Sequence, residues 1–167
     1  MKNEAEFKKA FKNSVKAQSG YSISLAAPML PGIPDLYVIM PNYMPVLIEA
    51  KWLGNIGDRF RRKLALTEMQ KMYLDECCKI HSKSALILVG YRQYGEYWAT
   101  LKLRTIGQDE YEDGRSGLTC KFDKKLCDVG FMFDSLDVPK IKMYGQYRDG
   151  IIHPVKNFTL QALTSVV

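Results

Sequence analysis

The sequence predicts an α/β (α+β) fold, with a sheet packed between helices in the order αβββαβ and a small C-terminal extension. Three observations predict it. Leu36 to Met40 and Pro45 to Trp52 are runs rich in Val, Ile, Leu and aromatics, and the breaker cluster Pro41-Asn42-Tyr43-Met44-Pro45 between them marks a hairpin. Asn3 to Lys16 and Ala65 to Ser82 repeat apolar residues at three- and four-residue steps, the period of an amphipathic helix. Ala85-Leu86-Ile87-Leu88-Val89 is a continuous apolar run suited to a strand buried on both faces, which requires helices on both sides of the sheet.

Each element has its own signal. In the first helix Ala5, Phe7, Phe11 and Val15 form the apolar stripe, and Lys8, Lys9, Lys12 and Lys16 form a basic face that is either simply solvated or contacts phosphate. Glu4 and Glu6 fall in the first turn, where the helix dipole favours carboxylates. Tyr21 to Ala27 reads as a short strand leading into Pro28-x-x-Pro31-Gly32, whose prolines restrict the approach to Asp35. After the hairpin, Leu53 to Lys63 holds two glycines and the cations Arg59, Arg61, Arg62 and Lys63, read as a linker or as a DNA-contacting loop. The second helix places Leu66, Met69, Tyr73, Cys77 and Ile80 on one stripe, and Thr67-x-x-Gln70 can close a capping box. Glu96 to Arg104 alternates as a half-exposed edge strand beside the buried one. Thr105 to Val167 reads as an α+β extension packed on the 1–104 core, of no assignable role.

The chemistry concentrates at the hairpin. A turn centred on Tyr43 pairs position 35 with 51 and 37 with 49, and Asp35, Glu49 and Lys51 share one face because side chains alternate with period two. Two carboxylates brought together repel unless a positive charge sits between them. Mg2+ or Mn2+ answers that need, held through carboxylate oxygens while keeping waters and substrate phosphate oxygens as its other ligands. Lys51 can then act on the attacking water or neutralise charge on the scissile phosphate. Gln70 has two readings, as the capping residue of its own helix or as a group facing the sheet that holds Lys51, a water or a phosphate oxygen.

Pro34-Asp35 with Glu49-Ala50-Lys51 resembles the PD-(D/E)xK nuclease superfamily, and Gly32-Ile33-Pro34-Asp35, Ile48-Glu49-Ala50-Lys51 and Leu66-Thr67-x-x-Gln70 together resemble its VRR-NUC and Holliday-junction-resolvase-like branch. The resemblance covers roughly Met1 to Arg104. It implies a restriction-endonuclease-like core with a mixed sheet, and a metal-dependent DNA endonuclease that leaves a 5′ phosphate. It further implies a homodimer if the substrate is a junction. For the site it implies Asp35, Glu49 and the Ala50 carbonyl as metal ligands, favours the catalytic reading of Gln70, and suggests a first-helix glutamate near the metal. Glu6 is preferred to Glu4 there because it adjoins Phe7.

Charge supports a polyanionic partner. The chain of 167 residues carries a net charge of +6; Met1 to Arg104 holds 16 Lys and Arg against 9 Asp and Glu, so the excess lies with the carboxylates, as in a nucleic-acid groove. Cys77, Cys78, Cys120 and Cys127, with His81 and His153, show no zinc-ligand spacing and read as reduced thiols. No secretory signal, membrane span or organic cofactor motif is expected, which places the chain in a cytoplasm, its own or a host's. The alternatives are a nucleic-acid-binding module without catalysis, or an assembly protein with a chance motif.

Overall fold

The computed structural model describes residues 3–25, 29–58, 61–113, 118–122, 126–141, 145–148 and 151–154. In chain order the elements are α1 (Glu4–Ala17), β1 (Tyr21–Ser24), β2 (Leu36–Ile39), β3 (Val46–Asn55), β4 (Arg62–Lys63), α2 (Glu68–Ile80), β5 (Ala85–Gln93), β6 (Glu96–Leu103), β7 (Tyr111–Glu112), β8 (Thr119–Lys121), α3 (Val129–Ser135), β9 (Gly145–Arg148) and β10 (Ile151–Pro154). Six strands form one sheet in the order β1-β2-β3-β5-β6-β8. Every neighbouring pair is antiparallel except β3 and β5, which are parallel because α2 carries the chain back across the sheet between them. The result is the mixed α/β sheet between helices that the sequence predicts.

Side-chain parity divides the core into two layers. Leu36, Val38, Ile48, Ala50, Leu86 and Leu88 join Phe7, Phe11 and Val15 of α1 and Val129, Met132 and Phe133 of α3 on one face. Ile87, Val89 and Tyr91 join Leu74 and Cys78 of α2 on the other. β5 is buried along almost its whole length, as its unbroken apolar run predicts. Gly90 marks a tight contact: Phe7 lies against it, and an added Cβ would come within 2.6 Å of the ring. Gly90→Ala is therefore expected to lower stability by about 1–3 kcal/mol through overpacking, read as a lower urea midpoint with an unchanged slope.

Four sequence expectations shift. The hairpin is centred on Asn42 and not on Tyr43, with Leu36 opposite Ile48 and Val38 opposite Val46. Asn42 takes a left-handed φ of 66°, which asparagine tolerates, so the chain reverses tightly and the Tyr43 N–H donates to the Met40 carbonyl. The register moves by two residues, an even number, so the facing of each side chain is preserved. In α2 the buried stripe is Leu74 and Cys78, whereas Met69 and Ile80 are 40% and 90% exposed; Leu66 precedes the helix and does not set its phase. Ala5 is exposed on α1. β6 is no edge strand, because β8 pairs outside it. The Thr119 to Val138 stretch thus supplies a strand, a helix and buried side chains to the same core.

Candidate active site at the open end of the hairpin

β2 begins only at Leu36, so the ladder with β3 stops at Ile48 and the next peptide groups of β3 lie beyond it. Continuing that register puts Asp35 opposite Glu49. The loop before Asp35 is held against α2 by Gly32, whose φ is +88° and whose missing Cβ would fall 2.5 Å from Met69. No other residue type fits a left-handed backbone at that approach. The loop and the start of α2 are thereby fixed together, which brings Gln70 to the same rim.

Asp35 is bound on both oxygens. Oδ2 accepts the Ala50 N–H at 2.9 Å and Oδ1 accepts from Lys8 Nζ at 3.2 Å. The Leu47 N–H donates towards Ser84 at the start of β5, so peptide groups of even-numbered residues in this part of β3 turn the other way; the Ala50 carbonyl therefore faces the same side as Asp35. Glu49 is 2% exposed. Its Oε1 accepts from Gln70 Nε2 at 2.7 Å and lies 3.4 Å from Lys51 Nζ, while its Oε2 is buried with no hydrogen-bond partner. Burial pushes the Glu49 carboxyl up to about 7; the Asp35 charge adds to the rise, Lys51 offsets part of it, and Glu4 contributes a further small repulsion.

Gln70 makes side-chain contacts on both sides, to its own helix cap and to the charged pair on β3. Its Oε1 accepts the Thr67 N–H at 2.9 Å and its own N–H donates to Thr67 Oγ1 at 3.2 Å, closing the capping box. The same amide reaches Glu49 through Nε2 and accepts from Lys51 Nζ at 3.3 Å through Oε1. The cap locks the amide, and the amide locks the two charged groups.

The first-helix glutamate at this rim is Glu4, in place of the expected Glu6. Glu4 Oε2 accepts the Trp52 N–H at 3.4 Å and its Oε1 lies 3.8 Å from Lys8 Nζ, whereas Glu6 is exposed. Helical phase could have found it: at 100° per residue Glu4 lies within about 20° of buried Phe11, and Glu6 is turned far from it. Lys8 as a partner of Asp35 had no sequence signal beyond its place on the basic face.

Two cations of the basic loop have acidic neighbours. Arg61 sits 3.8 Å over the Tyr111 ring and 4.0 Å from Asp113, Arg62 donates to the Leu53 carbonyl, and Lys63 lies 3.1 Å from Asp109. The β4–β7 ribbon thus sets Arg61 and Lys63 beside the acidic 109–113 stretch, with both side chains still more than half exposed. Arg59 lies outside the described residues.

No group of three or more His, Cys, Asp or Glu side chains gathers as a cation cage among the described residues. The donors on offer are two carboxylates and one carbonyl. That set, with a buried and unpartnered Glu49 oxygen, fits a hard divalent cation that keeps water and phosphate as its remaining ligands, and does not fit zinc. Among the described residues no helix is long and apolar enough to cross a membrane.

No protein-family profile matches the sequence, and no curated protein matches it. Among solved structures the chain is similar to Hjc, a Holliday junction resolvase from the archaeal hyperthermophile Archaeoglobus fulgidus, with 14% identity and a TM-score of 0.43 over 65% of this chain and 87% of that one. A likeness this slight assigns no activity.

Proposed function

We propose that this chain is a divalent-cation-dependent DNA endonuclease. The observation that carries the reading is Glu49: a carboxylate buried on an internal strand, with one oxygen unpartnered, beside Asp35 and Lys51. A buried charge without a full set of partners costs several kcal/mol, roughly, and here it adjoins a second carboxylate and a lysine at one rim.

Asp35, Glu49 and the Ala50 carbonyl are the groups that would hold Mg2+ or Mn2+. When bound, such a cation supplies Lewis-acid stabilisation of the phosphate and a more acidic attacking water. Lys51 sits at the same rim, with its ammonium fixed by Glu49 and Gln70, where it orients the water or meets the charge that grows on the scissile phosphate. The water oxygen bonds to phosphorus, the bond to the 3′ oxygen breaks, and a proton passes to that oxygen, leaving a 5′ phosphate. Gln70 is a positioning residue for both charged neighbours. The Gly32 and Thr67-x-x-Gln70 resemblance favours the resolvase-like branch, and a junction substrate, if that is the target, would call for a homodimer to cut two strands.

The test is a panel of supercoiled plasmid, linear duplex, single strand, flap and four-way junction in Mg2+, Mn2+ or EDTA, with sedimentation to read the oligomeric state. Cutting in metal and none in EDTA is expected. Salt-sensitive binding with no cutting in any metal would instead identify a nucleic-acid-binding module that retains the scaffold.

A further inference from the structure

Beside Asp35 a cavity of about 360 Å3 opens between α1 and β1, lined by Lys8, Lys9, Lys12, Asn13 and Ser24 as well as Asp35 itself. It begins at the candidate site and runs along α1 away from it. Lys8 stands at its inner end, shared between Asp35 at 3.2 Å and Glu4 at 3.8 Å. Lys12 lies one helical turn further on, with Nζ donating to Ser24 Oγ at 2.9 Å. Lys9 and Asn13 repeat that one-turn spacing on the adjacent line of the helix.

We propose that this cleft is the track for one DNA strand leaving the scissile phosphate, and that Lys9 and Lys12 bind the phosphates that follow it. The proposal rests on the reading of the Asp35 and Glu49 rim as a phosphodiester site and assigns the substrate's path across it. Three arguments converge. The cleft is bordered by Asp35, so a strand whose phosphate lies at the rim can pass directly into it. Lys8 and Lys12 stand four residues apart, about 6 Å along the helix axis, so one extended strand can meet them in succession. Its outer cations face no acid of the cavity lining, whereas the competing cations of the 61–63 segment pack on Asp109, Tyr111 and Asp113. Because Lys8 is already shared with two carboxylates, the recognition that depends on the cleft falls to Lys9 and Lys12.

Phosphate contacts are read by salt, since each contact on duplex DNA contributes about 0.9 to the slope of log affinity against log salt concentration. The affinity of the full chain for a fluorescent duplex is measured in EDTA across a salt series. It is compared with Lys9→Gln/Lys12→Gln and with the control Lys79→Gln/Lys121→Gln, which removes the same charge elsewhere. The cleft variant is expected to lose about 1.8 from the slope and the control to keep it. Lys12→Arg, which retains the charge, keeps the slope too; circular dichroism verifies that each variant is folded. An unchanged slope in the cleft variant, an equal loss in the control variant, or no DNA binding by the parent chain overturns the track. Cutting plays no part in this readout. A failed track with metal-dependent cutting leaves the nuclease reading standing, and a slope that depends on Lys9 and Lys12 with no cutting in any metal does the reverse.

Discussion

Lys51→Ala is expected to lower the rate of plasmid cutting in Mg2+ by about 10²–10⁴-fold, the range seen when a positioned proton-transfer or charge-stabilising group is removed. The Lys51 ammonium is held 3.4 Å from Glu49 Oε1 and 3.3 Å from Gln70 Oε1. Asp35→Asn should be equally inactive for a different reason: it removes a ligand charge yet keeps an oxygen to accept the Ala50 N–H, so the fold survives. DNA affinity should stay within a few-fold for both, because affinity comes chiefly from phosphate contacts elsewhere. Gel-based cutting rates alongside binding curves check the pair. Near-parental cutting by either variant removes the mechanism, whereas parallel loss of binding and cutting points to a folding defect.

The second large effect is on stability. Glu49 is raised from its usual 4.5 to about 7 in the folded chain. Below about pH 4.5 it is protonated in both states and its contribution to stability is whole. As pH rises the unfolded chain gives up this proton first, so the folded state binds more protons and stability falls until about pH 7, where the loss levels off. Without divalent cations the loss across that window should be about 3 kcal/mol. Glu49→Gln should abolish it and be the more stable protein at pH 8.5. Urea unfolding in EDTA at pH 5 and pH 8.5 measures both, and the gap between parent and variant is the quantity to follow. A gap that does not grow with pH means Glu49 ionises freely. Mg2+ at pH 8.5 should restore stability to the parent in proportion to its binding and leave Glu49→Gln little changed.

Much of this was legible in the chain. The Ala85 to Val89 run predicted a strand buried on both faces because nothing polar interrupts it, and the facing of Glu49 and Lys51 followed from parity alone. Legibility ended where geometry depends on one dihedral angle or on tertiary contact. The left-handed conformation of Asn42 moved the hairpin register by two, and the start of α2 after Thr67 rotated its buried line away from Met69 and Ile80. Glu4 was within reach of helical arithmetic, but adjacency to Phe7 pointed to Glu6. The pairing of Arg61 and Lys63 with acids about fifty residues downstream has no local signal.

The brevity of β2 has a consequence beyond the hairpin. An internal strand normally spends every amide on its neighbours, yet here the four residues of β2 run out before β3 does, and a carboxylate completes the bond that the carbonyl of residue 34 would have made in a longer strand. Lengthening β2 by a residue or two at its N-terminal end would complete the sheet and erase the opening, so what equips this scaffold for chemistry is a strand that stops early.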